Sequence, residues 1–166
     1  MADVRHLPIV KNLVCPDEDA TATLAQTLAR ASGIADAFIA LHGDLGAGKT
    51  TLVRHLLRAL GVEGRIKSPT YAVVEPHEAA QADGSSLNMF HFDFYRFSDP
   101  REWEDAGFRD IFAGPGLKLA EWPEQAAAYL PTADLDVTLH VQDEQRLVTL
   151  RANTDRGADL LQGLSA

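Results

Sequence analysis

Cysteine is nearly missing. Cys15 stands alone in 166 residues, so no disulfide can form within the chain. That fits a reducing compartment. Long apolar runs are missing too. No stretch approaches the roughly 20 residues that span a bilayer. Met1 to Val10 has no apolar core of the kind a secretory signal needs. The expectation is a cytoplasmic protein with no membrane association. The third absence is of basic clusters. The 15 Lys and Arg are scattered among 24 Asp and Glu, and the formal net charge is −9. Nucleic-acid affinity comes largely from grouped cations that displace counterions. Direct, tight binding to RNA or DNA is therefore not expected. An acidic surface suits solubility or docking on a basic protein.

What is present suits one soluble domain over residues 1–166. Hydrophobic residues make up 46% and charged residues 23%, the balance of a globular chain long enough to bury a sizeable core. No internal repeat is visible. Residues from about Asp155 read as a terminal helix or tail.

The most informative stretch is Gly43-Asp44-Leu45-Gly46-Ala47-Gly48-Lys49-Thr50. It fits G-x-x-x-x-G-K-[ST], the phosphate-binding loop. Glycine tolerates φ > 0, so such a loop can curl its N–H groups around the α- and β-phosphates of a nucleotide. Lys49 then reaches the β/γ-phosphates, and the Thr50 hydroxyl takes one site on Mg²⁺. The flanks agree. Phe38 to Leu41 reads as a buried parallel strand. Leu52, Val53, Leu56, Leu57 and Leu60 recur at helical spacing, with Gly61 at the stop.

The rest of the chain supplies candidates for that site. Ile9 to Val14 reads as a strand, followed by a helix with Pro16 at its first position and Asp17, Glu18 and Asp19 in its first turn. Those acids suit the helix dipole; the sharper reading puts this helix start beside the nucleotide base. Ser68-Pro69 marks a turn entering an extended segment, Ala72 to Glu75, and Thr70 reads either as part of a plain turn or as a γ-phosphate sensor. Pro76 to Leu87 reads as a solvated hairpin loop. In Asn88 to Arg96, Phe90, Phe92 and Phe94 alternate with His91, Asp93 and Tyr95. His91 reads as structural, because no metal ligands stand at useful spacing. Asp99-Pro100-Arg101-Glu102 opens a short helix, and Pro123 opens another through Tyr129. Leu117 to Ala120 is an apolar strand ending in Glu121, and Leu135 to Val141 pairs with Arg146 to Leu150. Two acids, Asp93 and Glu121, thus end strands at the edge where ligands bind in such folds. Sequence chemistry alone does not rank them.

Four segments in order carry a resemblance: Gly43 to Thr51, Ser68-Pro69-Thr70-Tyr71, His91-Phe92-Asp93-Phe94-Tyr95-Arg96, and Glu121-Trp122-Pro123. The chain resembles the TsaE family, formerly YjeE, the small bacterial ATPases of tRNA threonylcarbamoyladenosine biosynthesis. The likeness runs from about Pro16 to Val141. It implies an α/β fold: a P-loop NTPase-like single domain with a mixed, mainly parallel central sheet flanked by helices. It implies ATP and Mg²⁺ as ligands, and slow hydrolysis coupled to a TsaB–TsaD complex, with tRNA met only indirectly. Thr50 and Glu121 would bind Mg²⁺. Asp93 would sit by the γ-phosphate and assist hydrolysis with Lys49. Gly43, Asp44, Leu45, Gly46, Ala47, Gly48, Lys49, Thr50 and Thr51 would hold the phosphates. Thr70 would belong to a switch-like segment, and Glu18 and Arg146 would contact the nucleotide on the base side. The chain differs from the family pattern in a longer loop at His77 to Leu87, in Phe94 for leucine, and in Gln145-Arg146 for Gly-Arg.

Two other readings compete. A small-molecule or nucleotide kinase shares the size and the loop but needs an acceptor pocket and an arginine-rich lid, and no such lid is visible. A nucleotide-binding interaction module would need no turnover. A GTPase lacks support, because no N-K-x-D segment is present to read guanine.

Overall fold

The computed structural model describes residues 6–69 and 73–164. The strands are β1 Ile9–Cys15, β2 Phe38–His42, β3 Val74–Ala80, β4 Ser86–Asp93, β5 Leu117–Glu121, β6 Leu135–Gln142 and β7 Gln145–Ala152. The helices are α1 Glu18–Ala29, α2 Lys49–Ala59, α3 Pro100–Asp105, α4 Phe108–Ala113 and α5 Asp155–Leu161. All seven strands join one sheet in the order β1-β7-β6-β2-β5-β4-β3.

The sheet is mixed. β6, β2, β5 and β4 run parallel, and every residue of β5 is buried. That is the pattern of strands covered on both faces. The flanks are antiparallel: β1 on β7, β7 on β6, and β3 on β4. The parallel character is thus confined to three of the six pairings, because two hairpins close the sheet. One hairpin, β6 to β7, turns through Asp143 and Glu144, with Asp143 at φ 56°.

The other hairpin corrects an expectation. The loop expected over Pro76 to Leu87 is confined to residues 81–85. β3 runs through Pro76 to Ala80, a turn spans residues 81–85, and β4 starts at Ser86. Proline reads as a strand breaker, but β3 is the last strand of the sheet, where a missing N–H costs no ladder bond. Two helix starts also differ. Glu18, not Pro16, takes the first position of α1, and Asp17 caps it, its carboxylate accepting from Ala20 N at 2.9 Å. After Trp122 there is one 3-10 turn, Pro123–Ala126, in place of a helix to Tyr129. The α3 start is as expected, with Asp99 accepting from Arg101 N at 2.9 Å and Pro100 at the first position.

Two cores lie on opposite faces. One packs α1, α2 and α5 through Leu24, Leu28, Leu52, Leu56, Leu57 and Leu160 onto Ile39, Leu41, Leu119 and Val137. Each such side chain contributes about 1.5–3 kcal/mol by burial. The other is aromatic, with Phe38, Phe92, Phe94, Phe97, Trp103 and Phe108 around α3 and α4. Between them the parallel strands end together. Register pairs Leu41 with Glu121 and Asp93 with Glu121, so β2, β4 and β5 deliver their carboxyl ends to one edge.

Candidate nucleotide site

The loop 43–48 leaves β2 at that edge and enters α2. Its three glycines all have positive φ, and two of them decide its path. Gly43 has φ 144°, and a Cβ there would stand 2.6 Å from the Leu139 carbonyl oxygen. Gly48 has φ 105° and begins α2 with no side-chain cap. The first N–H groups of α2 therefore remain available to an anion at a helix N-terminus. Arg146 Nε donates to Ala47 O at 2.9 Å and holds the loop from β7.

Lys49 is 4% exposed. Its Nζ donates to the Gly43 carbonyl and stands 3.6 Å over the ring of Trp122. Burial pulls its pKa below the ordinary lysine value, and Glu121, Glu124, Asp93 and Asp44 partly restore it. The side chain is a desolvated cation in an acidic setting.

Thr50 follows on the first turn of α2. Its Oγ1 donates to Glu121 Oε1 at 2.8 Å. The other carboxylate oxygen, Oε2, accepts from His91 Nε2 at 2.5 Å. Glu121 is 3% exposed. Asp93 lies beside it on β4, accepting from Tyr95 N at 2.9 Å. Burial raises the Asp93 pKa above the ordinary aspartate value, against the Tyr95 bond that lowers it.

These groups line one cleft of about 260 Å³, bounded by 45–51, Asp93, Glu121, Trp122 and Arg146. A second cavity of about 180 Å³ adjoins it, sharing Gly48, Thr51 and Arg146 and adding Cys15, Asp17, Glu18, Thr21, Leu139 and Glu144. The sequence-expected residues Gly46, Ala47, Lys49, Thr50, Thr51, Asp93, Glu121 and Arg146 thus meet in one place. Glu18 stands in the adjoining cavity, its carboxylate 3.0 Å from His55 Nε2. Gly43 and Asp44 lie on the approach to the cleft and do not line it. Thr70 and Tyr71 lie outside the described residues.

The donor set suits a hard cation. A hydroxyl and a carboxylate 2.8 Å apart, beside an anion-binding helix end, match the way Mg²⁺ rests on one or two protein oxygens and on phosphates. Among the described residues, no group of three or more His, Cys, Asp or Glu is arranged to hold a metal. Arg96 and Arg109 are exposed and line neither cavity.

Two residues escape sequence reasoning. Trp122 sits at φ 53° directly after Glu121 and covers Lys49. His91 is buried against Glu121. The signal for His91 was present: it stands two residues before Asp93, hence on the same strand face.

Known proteins resemble this chain in sequence and in fold. A family model described as "Threonylcarbamoyl adenosine biosynthesis protein TsaE" matches residues 15–148. Relatives bear the name tRNA threonylcarbamoyladenosine biosynthesis protein TsaE. That of Haemophilus influenzae is 42% identical over 125 residues, 75% of this chain and 76% of the relative. That of Bacillus subtilis is 34% identical over 128 residues, 76% of this chain and 77% of the relative. That of Rickettsia felis is 32% identical over 154 residues, 90% of this chain and 86% of the relative. Among solved structures, that of Bacillus subtilis YdiB superposes with a TM-score of 0.69 at 26% identity, covering 95% of each chain.

Proposed function

The chain belongs to the TsaE family of tRNA threonylcarbamoyladenosine biosynthesis, and on that footing we propose that it binds ATP with Mg²⁺ and hydrolyses it in the cytoplasm. The bond from Thr50 Oγ1 to Glu121 Oε1 carries this reading. It joins the first turn of α2 to the end of β5 beside a loop that presents backbone N–H groups.

Each residue then has a task. The loop and the start of α2 hold the α- and β-phosphates. Lys49 is drawn from the Gly43 carbonyl and the Trp122 face to the β/γ-phosphates. Thr50 and Glu121 hold Mg²⁺, which when bound neutralises charge on the transferring phosphoryl group. Asp93 orients the attacking water beside the γ-phosphate, and burial brings its carboxyl closer to the range of a useful base. The cavity at Glu18 and Thr21 takes the base side, with Arg146 between base and phosphates. Ser68-Pro69-Thr70 is the segment that responds to the γ-phosphate; Arg54 of α2 reaches Ser68 Oγ at 3.1 Å.

The partners are proteins, the TsaB–TsaD complex, and tRNA is met through them. The net charge of −9 with scattered cations supports this. Among the described residues no arginine of α3 or α4 lines the cleft, which supports a slow intrinsic rate and stimulation by a partner. The test is ATP turnover with and without purified TsaB–TsaD, alongside tRNA modification. Free phosphate, stimulation by the complex and dependence of modification on this protein are expected. A phosphorylated acceptor in place of free phosphate would replace the reading with a kinase. No stimulation and no effect on modification would remove the pathway role.

A further inference from the structure

We infer that His91 is a positioning residue for the metal site, fixing Glu121 so that one carboxylate oxygen is committed to protein and the other faces Thr50 and the cation. The inference rests on the proposed Mg²⁺ role of Glu121.

The geometry divides the carboxylate. Glu121 Oε2 accepts from His91 Nε2 at 2.5 Å, while Oε1 accepts from Thr50 Oγ1 at 2.8 Å. A glutamate has three side-chain torsions, and its terminal one is broad. Held at Oε1 alone, the group could swing about that contact. The second bond removes this freedom before any ligand arrives. His91 is itself immobile. It is 1% exposed and stands two residues before the end of β4, in register with Leu119 of β5 on one side and Glu75 of β3 on the other. The strand spacing sets where its imidazole can reach.

The same side chain carries a cost. Among the described residues, His91 Nδ1 is buried with no hydrogen-bond partner. A lost hydrogen bond on a buried polar atom costs about 1–3 kcal/mol. Leucine or methionine would fill this core position without that cost, and Met89 does so two residues earlier on the same face. Core packing therefore gives no reason for an imidazole here. The bond to Glu121 does. Residues behind a metal ligand orient it, and removing them weakens metal binding by roughly 10–100-fold.

The test reads Mg²⁺ binding through ADP, so that it does not depend on turnover. ADP affinity is titrated calorimetrically in Mg²⁺ and in EDTA, and the ratio of the two is the gain from the cation. In His91→Leu the ratio is expected to fall roughly tenfold or more, with affinity in EDTA at the wild-type value. His91→Gln, whose amide can donate to Oε2, restores the ratio. His91→Asn, too short to reach, behaves like His91→Leu and replaces it if that variant fails to fold. In the double variant with Glu121→Ala, the His91 change adds no further loss. A wild-type ratio in both His91→Leu and His91→Asn overturns the inference, as does an additive loss in the double variant. If Glu121→Ala alone keeps the wild-type ratio, the metal role of Glu121 falls, and the positioning role falls with it.

Discussion

The ammonium of Lys49 lies 3.6 Å from the centre of the Trp122 ring. The two are 73 residues apart in sequence and meet because β2 and β5 end side by side and Trp122 adopts φ 53°. A cation held over an indole face is an attractive contact, and phosphates compete for the same ammonium. Nucleotide binding should therefore change the emission of Trp122. The chain has two tryptophans. Trp103 is 3% exposed in the aromatic core. Titrating ATP into Trp103→Phe should retain the fluorescence change, and Trp122→Phe should abolish it.

Asp93 stands beside Glu121 with its carboxyl raised by burial. Asp93→Asn keeps the shape and removes the charge. Turnover measured as phosphate release should fall by at least about 100-fold, while ATP affinity stays near wild type. Full partner-stimulated turnover in this variant would remove Asp93 from the chemistry.

His42, the last residue of β2, bridges two carboxylates: Nδ1 to Glu124 and Nε2 to Asp136, each at 2.7 Å. The Asp136 bond raises its pKa most, against burial, with Glu124 adding to it. A raised folded-state value contributes stability fully below the ordinary imidazole value, about 6.5, and loses it as pH rises through the folded value. Asp136 shifts downward. Burial acts to raise it, but the His42 and Asn153 bonds together outweigh burial. Its contribution is present above about pH 3.9 and is lost as pH falls through the folded value. Denaturant unfolding of wild type and His42→Ala should thus differ most between about pH 4 and 6.5, by about 1–3 kcal/mol. The difference should shrink on either side. A constant difference across pH would contradict the ion-pair account.

Gly157 in α5 packs against the loop before β6. A Cβ there would fall 1.9 Å from the Asp134 carbonyl oxygen. Backbone must move to admit it. Gly157→Ala should cost about 3 kcal/mol and lower Tm by roughly 6–12 °C. Calorimetry of the variant checks this, and an unchanged Tm would show that α5 sits elsewhere.

How much of this was legible in the sequence depended on range. The loop and Lys49 were legible because phosphate chemistry dictates residue types within eight positions. Glu121 was legible as an acid ending an apolar strand. The resemblance brought it to Thr50 at one cation, but its bond to His91 was not legible, because that depends on the register of β4 on β5. Pro76 concealed how far β3 runs past Glu75, since proline marks a break everywhere except at an edge whose position only the sheet order reveals. Trp122 stands in the Glu121-Trp122-Pro123 motif, but its left-handed backbone, which aims the ring at Lys49, leaves no trace in composition.

The proposed function requires an ATP phosphate group to bind where Lys49 stands. Calorimetric titration of ATP in Mg²⁺ into wild type and into Lys49→Ala, both shown folded by thermal melts, tests it most directly. The account predicts one site on the wild-type chain and at least a roughly tenfold loss of affinity in the variant, the size of one lost charge-assisted contact. Equal affinity in the two proteins would contradict it.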